Sequence, residues 1–193
     1  MDASQIDIKR MAMDDFIARF HDAPFELIDG ECVPVTPVVL GHGQRNRSVF
    51  RPLDAFVEEH NLGEVYYEVP YVLVYDSDWV TGSRVPDLMF IARTRWDAYT
   101  QSDADYESKP VVLVPDLCVE IVSKNDSFDE VQAKVARYLD DGVRLIWVVD
   151  QKNKLVIVYR GGSNQSTTYR LGDTLNGEDV LPGFTLPVAD VFA

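Results

Sequence analysis

The stretch 115–150, PDLCVEIVSKNDSFDEVQAKVARYLDDGVRLIWVVD, decides the fold. It reads as strand, turn, helix and strand. Pro115 to Val122 is apolar almost without interruption, which predicts a strand buried on both faces at a parallel or mixed position in a sheet. By the two-residue period, Leu117, Val119 and Ile121 take one face, and Asp116, Cys118, Glu120 and Val122 take the other. Ser127-Phe128-Asp129-Glu130 has the form of a capping box and opens a helix. Phe128, Val131, Val135, Tyr138 and Leu139 are expected to form its buried face, and Gly142 is placed to end it in a left-handed conformation. Val143 to Val149 follows as a second buried strand.

Working outward, residues 84–92, RVPDLMFIA, predict another apolar strand in which Asp87, Met89 and Ile91 share a face. Residues 64–75, EVYYEVPYVLVY, read as one strand interrupted by a bulge or lying at an edge because of Pro70, with a turn over 76–83. Val49, Phe50, Leu53, Phe56 and Val57 recur at helical spacing within 43–60; Pro52 there predicts a kink or a late start, and His42 lies just ahead. Arg45, Arg47 and Arg51 give this segment the densest positive charge in the chain. Nearer the start, 13–20 predicts a short helix capped at Asp14 or Asp15, and Phe25–Asp29 with Glu31–Val35 predict a hairpin about Asp29-Gly30. Residues 93–110 predict a short helix and an exposed loop; 154–160 and 167–171 predict two further antiparallel strands before a proline-punctuated tail. The expected fold class is α/β of mixed α+β character: a mixed central sheet flanked by helices, with an N-terminal hairpin, in a single domain over 1–193.

Composition narrows the function. A net charge of -14, from 32 acids against 18 bases, argues against a nonspecific nucleic-acid coat, though not against a nuclease whose acids hold a cation. No apolar run reaches the ~20 residues that span a bilayer, and the opening MDASQIDIKRM lacks the apolar core of a signal peptide, so the cytoplasm is the expected compartment and no membrane partner is expected. Cys32 and Cys118 have no metal-site spacing and are expected to be reduced, packed thiols.

The chemistry rests on acids where acids are costly. An ionised carboxylate buried without a partner does not persist; it is protonated, ion-paired or bound to a cation. Asp87 and Glu120 each interrupt an apolar strand, and on neighbouring strands they converge. Together with the main-chain carbonyl of Ile121 they make an oxygen set suited to Mg²⁺ or Mn²⁺. Lys134 falls at the edge of the helix's buried stripe and can bring its ammonium to such a site, with Tyr138 one turn on as support. The bland alternatives are equally definite: a strand acid is commonly a salt-bridge partner, a lysine beside a helix stripe a solvated charge, a histidine near a helix start a cap, and Glu31 a solvated strand end.

The order ELIDGE (26–31), His42 before a long helix, LGEV (62–65), VPDLMFI (85–91), PDLCVEIVS (115–123), KVARYLDDGVRLIWVVD (134–150) and LPGFTLPVADVF (181–192) resembles the Uma-two family, formerly catalogued as a domain of unknown function. That family is assigned to the PD-(D/E)XK restriction-endonuclease-like superfamily. The resemblance implies Mg²⁺-dependent cleavage of DNA and, because such nucleases cut both strands, a homodimer. Carried over by position, Asp87 matches the PD aspartate and Glu120 the (D/E) acid. The lysine expected two residues later is replaced by Val122; Lys134 on the following helix matches the migrated lysine, with Lys124 as the rival. Glu31 matches an early acid that assists metal binding, and His42 a histidine near the site. Two other readings use the same residues: a non-catalytic interaction or scaffold module that retains the fold, and a metal-dependent hydrolase of smaller phosphoesters.

Overall fold

The computed structural model describes residues 10–37, 39–123 and 126–193; the polar opening stretch 1–9 and Lys124 lie outside them. In chain order the elements are β1 (Met11–Ala12), α1 (Met13–Asp22), β2 (Phe25–Ile28), β3 (Glu31–Pro34), α2 (Leu40–Glu59), β4 (Gly63–Tyr67), β5 (Tyr71–Asp76), β6 (Trp79–Arg84), β7 (Leu88–Ala92), α3 (Arg93–Ser102), β8 (Leu117–Val122), α4 (Phe128–Asp141), β9 (Leu145–Asp150), β10 (Leu155–Arg160), β11 (Ser166–Arg170), β12 (Thr174–Gly177), β13 (Leu181–Pro187) and α5 (Val188–Val191). They fall into two compact units.

Of the described residues, one unit comprises 10–36, 70–85 and 105–113. It contains the three-stranded sheet β1-β6-β5 and the hairpin β2-β3. Asp29 and Gly30 turn the hairpin with φ of 52° and 79°, the positive pair that a two-residue loop of this hand requires. Met13, Phe16, Phe25, Leu27, Val72 and Val80 form its core. Helix α1 is entered from Ala12 without a side-chain cap, so neither Asp14 nor Asp15 caps it; both are first-turn residues, where they favour the helix dipole. Cys32 is exposed on β3 rather than packed, as is every residue of that short strand.

The other unit, residues 37–69, 86–104 and 114–193, holds the mixed six-stranded sheet β11-β10-β9-β8-β7-β4. β8 lies between antiparallel β7 and parallel β9, as its two-sided apolar sequence demands. Leu117, Val119 and Ile121 enter the main core with Leu145, Trp147 and Val149, under Val49, Leu53 and Val57 of α2 and the hairpin β12-β13. The capping box of α4 forms, with Ser127 and Glu130 bonded reciprocally, and Gly142 closes the helix at φ 100°. Val135 and Tyr138 are buried, but Phe128 is 74% exposed. It sits at the first helical position, where its side chain reaches back past the helix start instead of onto a neighbouring turn.

Three further expectations are corrected. The stretch 64–75 is two strands in different sheets, broken where Glu68 takes φ 55° ahead of Pro70. The turn expected over 76–83 is largely strand β6, paired with β5. Helix α2 begins at Leu40 and runs through Pro52, so His42 lies inside its first turn rather than ahead of it.

Candidate active site

The site is built on β8. Alternate residues of a strand present both N–H and C=O to the same neighbour. Leu145 N–H donates to the Asp116 carbonyl and the Gln151 side chain to the Val122 carbonyl, which sets the even-numbered residues of β8 toward β9. Ile121 therefore turns its N–H and its carbonyl toward β7. But the β7–β8 ladder ends at Leu88 and Val119, so no strand partner meets Ile121 there. Its N–H donates instead to Asp87 Oδ2 at 2.6 Å. The carbonyl expected as a metal ligand thus opens on the edge that carries the Asp87 carboxylate.

The other oxygen of Asp87, Oδ1, accepts from His42 Nε2 at 2.8 Å. His42 and Asp87 are both nearly buried, with side chains 9% and 13% exposed. The bond to Asp87 raises the imidazole above its ordinary pKa; burial opposes this, while Asp87, Glu120 and Glu68 add to it as negative charges. The histidine is held by the geometry of α2. His42, Asn46, Val49, Leu53 and Val57 form one buried stripe along the helix, polar in its first two positions and apolar thereafter.

Glu120 projects from the opposite face of β8, beneath α4. Its Oε2 accepts from Lys134 Nζ at 2.8 Å, and its Oε1 accepts from the Tyr138 hydroxyl. Lys134 and Tyr138 are one helical turn apart, so a single face of α4 supplies both donors. Lys134 is 37% exposed while Glu120 is 9% exposed, which fits a stem along the core and an ammonium between acid and solvent. Burial pushes the Glu120 carboxyl up to about 7; the Lys134 ammonium pulls it down and the Asp87 charge pushes it up.

These donors fit a hard divalent cation. Each oxygen of the two carboxylates accepts at least one hydrogen bond, and a carboxylate oxygen has a second lone pair with which to meet a cation. A carboxyl driven upward by burial beside a second carboxylate is a site short of positive charge. Among the described residues no three His, Cys, Asp or Glu side chains gather closely enough to hold an ion by themselves. An ion here would rest on two carboxylates, one carbonyl and solvent, a ligation that suits Mg²⁺ or Mn²⁺ and not zinc.

The structure thus gathers Asp87, Glu120, Ile121, Lys134, Tyr138 and His42 within one unit. Glu31 belongs to the other unit, where it opens β3 as an exposed residue paired with Ile28. Two neighbours of Asp87 escape a reading of the sequence. Asn46 donates its side-chain amide to the Asp87 carbonyl at 3.4 Å, and Glu68 donates its backbone N–H to the same oxygen at 3.3 Å. The helical stripe beginning at His42 is the signal that finds Asn46 once the start of α2 is known.

Residues 13–189 match the family model Uma2, described as "Putative restriction endonuclease". Among solved structures, the chain is similar to a protein of Anabaena variabilis ATCC 29413 described as "a putative nuclease belonging to DUF820". The TM-score is 0.74 over 94% of this chain and 97% of that one, at 17% identity, so the likeness is one of fold. No curated protein sequence matches significantly.

Proposed function

The chain belongs to the Uma2 family, and from that membership and the paired carboxylates we propose that it is a divalent-metal-dependent endonuclease hydrolysing phosphodiester bonds in DNA. The observation that carries the reading is the junction at Ile121: its N–H holds the Asp87 carboxylate, its carbonyl opens on the same edge, and its neighbour Glu120 is gripped by Lys134. Asp87, Glu120 and the Ile121 carbonyl would hold Mg²⁺ or Mn²⁺. When bound, such an ion polarises a phosphodiester and lowers the pKa of an attacking water.

The protein's own groups have separable roles. Asp87 is fixed by His42 on one oxygen and by Ile121 N–H on the other. Tyr138 fixes one oxygen of Glu120, and Lys134 fixes the other. Lys134 has the exposure to serve the substrate as well, orienting a water and stabilising negative charge that develops on the phosphate. In this reading it replaces the lysine that the superfamily pattern places two residues after the acid, where this chain has Val122. A dimer of such chains would cut both strands, and sedimentation would reveal it.

A second reading, a non-catalytic interaction module, is favoured by one observation: each oxygen of Glu120 already has a donor, an arrangement that also suits a satisfied structural acid. The deciding experiment is nicking of supercoiled plasmid at low salt with Mg²⁺ or Mn²⁺, comparing the unaltered chain with Glu120→Gln and Asp87→Asn. Metal-dependent nicking lost in both variants is expected. Persistent nicking in either refutes the site. Absence of nicking by the unaltered chain, with no Mn²⁺ effect on melting, favours the interaction module.

A further inference from the structure

Helix α2 grips residue 87 twice. His42 takes the side chain, and Asn46, one turn further on, takes the main-chain carbonyl. That second contact is hard to explain as packing. Asn46 is 7% exposed, its bond to the carbonyl is long at 3.4 Å, and its Oδ1 is buried without any partner among the described residues. A buried acceptor left unbonded costs stability. The next positions on the same stripe, Val49, Leu53 and Val57, are apolar and packed. Nor does the fold require the amide as a donor, because the Asp87 carbonyl also accepts from Glu68 N–H at 3.3 Å.

The position of Asp87 supplies the reason. Both ladders of β7 end at Leu88: its pairing with β4 stops at Tyr67↔Leu88 and its pairing with β8 stops at Leu88↔Val119. Asp87 is therefore the first residue beyond the sheet, where the Glu68 N–H and the Asn46 amide, rather than a strand ladder, hold its carbonyl. We infer that Asn46 is a positioning residue, locking the main chain of Asp87 while His42 locks its carboxylate, so that the acid meets a divalent cation in one orientation. This rests on the metal-site reading above. Partners of this kind, which orient a ligand without touching the ion, typically change metal affinity 10- to 100-fold when removed.

The test uses the full chain and Mn²⁺ alone as the probe. Asn46→Leu keeps the approximate shape, removes the amide and leaves the Asp87 carbonyl bonded to Glu68. Its metal-free melting temperature is expected to equal or exceed that of the unaltered chain, while its Mn²⁺ dissociation constant, by isothermal titration at 25 °C, rises about tenfold or more. Leu53→Ala, on the same stripe but within the apolar core, is expected to do the reverse: a lower melting temperature and an unchanged Mn²⁺ constant. If Asn46→Leu does not fold, Asn46→Ala is titrated in its place. An unchanged Mn²⁺ constant in the Asn46 variant overturns the positioning role and leaves the metal site standing. If the unaltered chain takes no Mn²⁺, the metal-site reading fails and this inference falls with it.

Discussion

Replacing Glu120 with glutamine is expected to stabilise the protein, more so as pH rises. The folded state raises this carboxyl from 4.5 to about 7, first through burial and against the pull of Lys134. A raised acid binds its proton more tightly folded than unfolded. Its contribution is therefore fully present below the unfolded value of 4.5 and is lost as pH rises to about 7. At ~1.4 kcal/mol for each pH unit, the loss is about 3 kcal/mol. Glutamine does not titrate. It keeps an oxygen for the Tyr138 hydroxyl, and the released Lys134, 37% exposed, turns to solvent. Chemical denaturation of the unaltered chain and Glu120→Gln, free of divalent metal, at pH 5 and pH 8.5 measures the effect. The difference in unfolding free energy is expected to shift by about 2.5 kcal/mol in favour of the variant between the two pH values, with ~1 kcal/mol of the effect already present at pH 5. A variant that loses stability at pH 8.5 relative to pH 5 would show that Lys134 more than compensates the buried charge, and the argument for a cation-deficient site would collapse.

Other outcomes follow from the same geometry. Because an ion must displace the Glu120 proton, the Mn²⁺-induced rise in melting temperature is expected at pH 8.5 and should weaken by about tenfold in apparent affinity for each pH unit below 7; a response independent of pH would exclude Glu120 as a ligand. Lys134→Met removes the charge that holds the Glu120 carboxyl down, so the onset of Mn²⁺ binding should move to higher pH while plasmid cleavage falls about 10²-fold or more; cleavage at the original rate would remove Lys134 from the mechanism. Asp116→Asn should cost about 2 kcal/mol in denaturant melts and leave Mn²⁺ affinity unchanged, since this acid serves Arg95, Arg144 and the Ala92 N–H; an altered Mn²⁺ constant would contradict that role.

What the sequence disclosed depended on how local the cause was. The β8–α4–β9 segment was readable because each signal acts within a few residues: a continuous apolar run, a reciprocal cap at Ser127 and Glu130, and a glycine at the left-handed stop. Helix α2 was misplaced at its start because Val39 precedes it with no capping side chain, so the usual marker is missing. That error put His42 outside the helix, whereas Asn46 lay within the expected span and was missed because a polar residue does not extend an apolar stripe. Strand β6 was lost because Thr81, Gly82 and Ser83 look like turn residues. Ser83 earns its place through a contact distant in sequence, its hydroxyl accepting from Leu27 N–H at 2.7 Å. Phe128 matched the helical period yet lies exposed, since periodicity says which side a residue faces and not whether anything covers it.

The two Pro-Asp-Leu triplets show where such reading ends. Pro86-Asp87-Leu88 and Pro115-Asp116-Leu117 are identical, and both aspartates stand just ahead of a buried strand. Asp116 is 1% exposed, and its oxygens meet two guanidiniums, Arg95 at 2.9 Å and Arg144 at 3.4 Å, with the Ala92 N–H at 2.9 Å. Its charge is fully answered by the protein. Asp87 receives an imidazole and a backbone N–H. Lys134 pairs with Glu120. With -14 overall, a buried acid pair is costly unless its charge is answered, by the chain's own donors or by a cation from outside it. On the proposed reading, the difference between a structural aspartate and a metal-binding one is set by the donors that other elements deliver, and the triplet alone does not distinguish them.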